Sequence, residues 1–135
     1  MLFEFSRSGL PEALPILETI RRSILKSGNK LTNDLLRETM ATSNTLPKEV
    51  FSKLTGSLSF ADCVVIEGSF VSLSLGFILT EAIHLGKPVL FVYDSARYDY
   101  KNRFVQVIES DLLMSKSYER KEEIPKILEE FFTKN

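Results

Sequence analysis

A chain of 135 residues with 44% apolar and 26% charged residues makes one soluble globular domain, residues 1–135, able to bury roughly two-thirds of its unfolded surface. Its net charge of −1, with Lys and Arg scattered, excludes a dedicated binder of nucleic-acid polymers. One cysteine excludes an internal disulfide and points to a reducing compartment; no apolar run is long enough to span a bilayer and no secretory leader is evident, so the expected location is cytoplasmic, away from membranes.

Leu2–Phe5 is a short apolar segment, a candidate first strand. Ser6-Arg-Ser-Gly9 turns into a helix near Pro11, with Ala13, Ile16, Leu17, Ile20, Ile24 and Leu25 at helical spacing and Gly28 at its end. Lys30–Thr32 reads as a weak second strand, and Leu35–Thr45 as a loop or loose helix. Pro47 starts a helix through Leu58, with Val50, Phe51, Leu54 and Leu58 on one face. Ala61–Glu67 is a near-continuous apolar run, the pattern of a central parallel strand covered on both faces. Ser72–Leu85 follows as a helix apolar almost all round, so it is either deeply buried or buries one face against another subunit.

Gly86-Lys-Pro makes the next turn, and Val89–Tyr93 the next strand. Asp94–Asn102 is a polar, tyrosine-bearing loop that either covers a base or is simply solvated. Phe104–Ile108 is a short helix, Asp111–Met114 a last strand, and Glu122–Phe132 a closing helix. Strands alternating with helices predict an α/β domain of three layers. Five parallel strands in the flavodoxin-like (Rossmann-like) order 2-1-3-4-5 put a ligand crevice between strands one and three.

That crevice is expected to be lined by Ser6, Arg7, Ser8 and Gly9 after strand one. Glu67, Gly68 and Ser69 follow strand three, and Asp94 follows strand four. Ser72, Ser74 and Gly76 open the following helix, whose free N–H groups suit an anion. This collar of small polar residues suits a sugar or nucleotide, although Gly and Ser gather at such turns in any case. Glu67 ends an apolar strand, where burial would raise its pKa and fit it for acid–base work; a structural role, accepting loop N–H groups, is the other reading. Glu81 and His84 lie three apart and could pair on the helix surface. Cys63 fits a small buried hydrophobe. One histidine and one cysteine make no zinc site, and neither phosphate-binding glycine fingerprint is present, so no cofactor or metal is expected.

The central βαβ unit resembles the nucleoside 2-deoxyribosyltransferase family and its relatives that hydrolyse nucleoside monophosphates. The resemblance is carried by Ala61, Asp62, Val64, Val65, Glu67, Ser72, Ala82, Gly86, Lys87, Pro88 and Val89, with Gly28–Thr32 matching a further Gly-x-x-Leu-Thr. It implies N-glycosidic chemistry on a nucleoside or nucleotide, and a homodimer or higher oligomer, here through the 72–85 helix. The family's nucleophile is the glutamate of a Gly-Tyr-Glu. Ile78 stands at that position, Ser74 and Gly76 replace the glycines before it, and Leu54 stands where the family has an aspartate. Isoleucine cannot attack an anomeric carbon. Glu81 lies about 60° round the helix and about 4.5 Å along it, too far for the same atom. Glu67 acting on water is the other route. The alternative is a catalytically inactive nucleotide-binding regulatory or interaction subunit.

Overall fold

A computed structural model describes residues 1–32, 34, 47–70, 72–97, 105 and 107–135, with only the main chain of Pro47 and Val50. Four strands, β1 (Leu2–Phe5), β2 (Val64–Glu67), β3 (Val89–Asp94) and β4 (Leu113–Tyr118), form one parallel sheet in the order β1-β2-β3-β4. Leu2, Val64, Val89 and Leu113 stand in one register row. The helices are α1 (Leu14–Lys26), α2 (Pro47–Phe60), α3 (Leu73–His84) and α4 (Ile124–Lys134). Each begins within about three residues of the position that periodicity predicts, because its apolar stripe repeats every three to four residues.

Side chains alternate across the sheet and build two cores. Phe3, Phe5, Val65, Leu90 and Val92 face Leu17, Ile20 and Ile24 of α1 and Ile124, Leu128 and Phe131 of α4. Leu2, Val64, Ile66, Val89 and Phe91 face Leu58 of α2 and Leu75, Ile78, Leu79 and Ala82 of α3. All four residues of β1 and of β2 are buried, as strands covered on both faces must be.

Two features differ from expectation. Among the described residues the sheet has four strands, not five, so the order 2-1-3-4-5 is not formed. Lys30–Thr32 does lie beside the sheet: the Met1 nitrogen donates to Lys30 O at 2.7 Å, and Thr32 N donates to Met1 O at 2.9 Å. These two bonds flank Leu31 as in a parallel pairing, but they reach the sheet only at Met1 and make no strand. The last strand, expected at Asp111–Met114, runs from Leu113 to Tyr118. Its Ser115-Lys-Ser117 centre is polar because β4 is an edge strand among the described residues, with one side open to water. The loop or loose helix expected at Leu35–Thr45 lies outside the described residues, as do residues 98–104.

The Gly86-Lys-Pro turn has a structural task. Gly86 takes φ +74°, which favours glycine. Lys87 then turns its ammonium to the end of α2, donating to Leu58 O at 2.6 Å, Ser59 O at 2.7 Å and Ala61 O at 2.6 Å. Carbonyls at a helix C-terminus lack partners within the helix and carry partial negative charge, so a lysine is a fitting cap. No helix among the described residues is long and apolar enough to cross a membrane.

Candidate active site

The chain leaves β1 for α1 on one face of the sheet and leaves β2 for α3 on the other. Diverging connections open a crevice at the carboxyl ends of the two strands, where α/β sheets take their ligands.

Ser6 follows β1 and is buried. Its Oγ accepts from Ser8 N at 3.3 Å and shares a hydrogen bond with Ser8 Oγ at 2.6 Å, and Arg7–Gly9 make a single 3₁₀ turn. Glu67 closes β2 on the same sheet face as Val65, toward α1 and α4. It is 2% exposed, and three donors hold its carboxyl group. Ser69 N donates to Oε1 at 2.6 Å, while Ser69 Oγ at 2.9 Å and Tyr118 OH at 2.6 Å donate to Oε2. Asp94 N in turn donates to Ser69 Oγ at 2.8 Å. The ends of β2, β3 and β4 are thus joined through one serine hydroxyl and one carboxylate.

The electrostatics follow from burial. Desolvation pushes the Glu67 carboxyl above the usual glutamate range; the hydrogen bonds from Tyr118 and Ser69 oppose this, and the nearby Asp94 carboxylate adds to it. Burial and the Glu67 charge push the Tyr118 phenol well above its ordinary range, so it remains a neutral donor. A carboxyl that holds its proton more tightly and sits at the end of a central strand is suited to acid–base work.

Gly68 is required by space: a methyl at this position would lie 1.9 Å from the tip of the Phe91 ring. Ser72 caps α3, its Oγ accepting from Leu75 N at 3.3 Å and sharing a hydrogen bond with Ser74 Oγ at 3.2 Å. Ser74 and Gly76 are exposed on the first turns of α3. Ile78, at the position of the resembled family's nucleophile, is wholly buried against the sheet among Leu75, Leu79 and Ala82. Glu81 lies near the other end of α3, about 13 Å along the axis from Ser72, and His84 beyond it is exposed.

The structure therefore gathers Glu67, Ser69 and Asp94 and sets Glu81 apart. It also brings in Tyr118, Phe70 and Arg97. Sequence reasoning missed Tyr118, because the exposed Lys116 between Met114 and Tyr118 breaks the apolar alternation that would have extended the last strand to it. Glu4, buried on the α2/α3 face, was also missed, hidden inside an apolar segment. A groove of about 610 Å³ lies elsewhere, between α1 and α4, lined by Arg22, Lys26, Leu128 and Phe132 among others. Among the described residues no three His, Cys, Asp or Glu side chains gather as metal ligands.

No sequence-family model matches this chain, and no curated protein matches it. Among solved structures, the CMP N-glycosidase BcmB of Clostridium botulinum is similar, with a TM-score of 0.68 at 14% identity. The match covers 95% of this chain and 97% of that one. At that identity the likeness is one of fold, and over nearly its whole length this chain shares the α/β fold of a CMP N-glycosidase.

Proposed function

We propose that this protein is a nucleoside 2-deoxyribosyltransferase-like nucleotide N-glycosidase that binds a nucleoside or nucleotide in the crevice between β1 and β2. The observation that carries the reading is the buried, tyrosine-held Glu67 at the carboxyl end of β2. The fold shared with a CMP N-glycosidase and the sequence resemblance support it. Water attacks the anomeric carbon while the glycosidic C–N bond breaks, its electron pair leaving with the base. Glu67 takes a proton from the water, and the base takes one from solvent. Base and sugar phosphate are the products. Tyr118 and Ser69 hold the carboxylate in place. Ser6, Arg7, Ser8, Gly9, Gly68, Ser69, Ser72, Ser74, Gly76 and Asp94 form the wider binding collar of this reading. A covalent ester from the α3 position is not part of it, because Ile78 is buried and inert, so hydrolysis is favoured over transfer.

The test is incubation with CMP, dCMP, cytidine and their purine counterparts, with chromatography for free base. Release of base that Glu67→Gln abolishes is the expected result. A nucleotide bound and left intact would instead favour the inactive binding subunit, a reading that the engaged Glu67 oxygens and the buried Ile78 also support.

Self-association through α3 belongs to the same proposal. Leu73 is 93% exposed, Leu85 is exposed, and Phe77 of α3 touches the exposed Phe51 of α2 at 5.6 Å between ring centroids. Sedimentation of wild type and Leu73→Lys tests it: the wild type is expected as a dimer that the charge disrupts. A cytoplasmic location remains the expectation from composition.

A further inference from the structure

The crevice is filled from within by the chain's own aromatic ring. Phe70 follows Ser69, and its ring rests so closely on Gly9 that a methyl there would come within 2.5 Å of it. The Arg97 guanidinium carbon lies 4.3 Å from the ring centroid. Arg97 is itself ion-paired to Glu12. The segments after β1, β2 and β3 therefore meet on one ring, directly following the serine that holds Glu67.

Each of these attachments is readily exchanged. The ion pair joins side chains that are 37% and 68% exposed, where water screens it. A half-exposed guanidinium–ring contact is weak. Apolar contact with a glycine main chain carries no directional bond. The hydrogen bonds on Glu67 are more sheltered, that from Tyr118 buried and those from Ser69 partly buried.

We infer that Phe70 is a displaceable plug in the seat of a nucleobase, and that Arg97, once released from Glu12, takes the phosphate of the same ligand. The ligand class is a nucleoside 5′-monophosphate, and the inference rests on the reading of this crevice as a nucleotide site. A base is a flat ring and finds there what Phe70 finds, a main chain without a Cβ and a planar cation that stacks on π faces. A phosphate offers Arg97 two parallel charge-assisted bonds, which an exposed Glu12 carboxylate does not match in charge. Phe70 directly follows Ser69, which holds the 2%-exposed Glu67, so displacing the ring acts on the same loop that holds the carboxylate. The plug lowers apparent affinity by the fraction of molecules in which it is closed.

Calorimetry with CMP and cytidine tests this on the full chain. Phe70→Ala is expected to bind both about tenfold more tightly; should that variant fail to fold, Phe70→Leu tightens binding in the same direction. Arg97→Gln weakens CMP about tenfold, the size of one charge-assisted contact, and weakens cytidine, which loses only the stacking contact, by less. Glu12→Gln tightens CMP alone. The chain has no tryptophan, so Phe70→Trp adds a single indole, whose emission shifts to the red as CMP displaces it. Unchanged or weaker CMP binding by Phe70→Ala overturns the plug. Equal loss of CMP and cytidine in Arg97→Gln overturns the phosphate assignment. Free base is measured in the same mixtures. Tighter binding without released base leaves the plug standing and sinks the glycosidase reading, whereas base release that Phe70→Ala leaves unaltered, with binding unchanged, sinks the plug alone. No binding by any variant sinks both.

Discussion

The phenol of Tyr118 donates to Oε2 of Glu67 at 2.6 Å, joining the ends of β2 and β4 across the strand between them. Removing that donor leaves a buried carboxylate with fewer partners. Tyr118→Phe is therefore expected to cost about 1–3 kcal/mol of stability. The loss should be greater near pH 8 than near pH 5, because only the ionised carboxylate depends fully on the bond. Denaturant unfolding at the two pH values checks this, and an equal loss at both would sink the assignment.

The raised carboxyl of Glu67 sets a pH dependence whose sign follows from linkage. The folded chain holds this proton more tightly than the unfolded chain, where a glutamate titrates near 4.5. The stability it contributes is fully present below that value and is lost as pH rises through the higher folded value. Glu67→Gln carries no such proton. Its melting temperature should fall less than that of wild type between about pH 4.5 and neutrality. Parallel curves for the two proteins would mean that Glu67 ionises normally.

Lys87 offers its ammonium to three carbonyls at the end of α2. Lys87→Met keeps the stem and removes the charge, and is expected to cost about 2 kcal/mol. Arginine should not restore it, since a planar fork does not fit a site made for a compact cation. Thermal melts of the two variants decide the matter, and a wild-type melting point for Lys87→Arg would contradict it.

Gly68 faces the Phe91 ring with no room for a methyl. Gly68→Ala is expected to lose about 1–3 kcal/mol by overpacking, with Phe91→Leu in the same chain recovering part of the loss. If the double variant is no more stable than the single, the clash is not the cause.

Ile78 lies wholly within the core under α3. Restoring a glutamate there buries an unpaired charge, and about 3–5 kcal/mol of stability should go with it. Ile78→Glu is therefore expected to unfold at lower denaturant and to gain no base-releasing activity. Activity in a stable Ile78→Glu protein would show that α3 can turn this position toward the crevice.

Much of the layered fold was legible because apolar periodicity is set by burial. Leu17, Ile20 and Ile24 mark α1, and the unbroken Val64-Val-Ile66 marks a strand covered on both faces. Glu67 was legible for the same reason, a lone carboxylate closing an apolar run. Tyr118 was not: Ser115-Lys-Ser117 lies on an edge strand, where pattern and burial part company. The meeting of Phe70 with Arg97 was hidden differently. One ring between a serine and a valine and one arginine in a polar loop carry no periodicity, and only the third dimension brings Gly9, Phe70 and Arg97 together.

The first helix and the last lie side by side over one face of the sheet. During synthesis from the amino end, Phe3, Phe5, Leu17, Ile20 and Ile24 emerge long before Ile124, Leu128 and Phe131 exist to cover them. That half of the core stays open until the residues of α4 have been made. Packing that joins such distant parts of a chain forms late, and until it does this apolar face is open to aggregation.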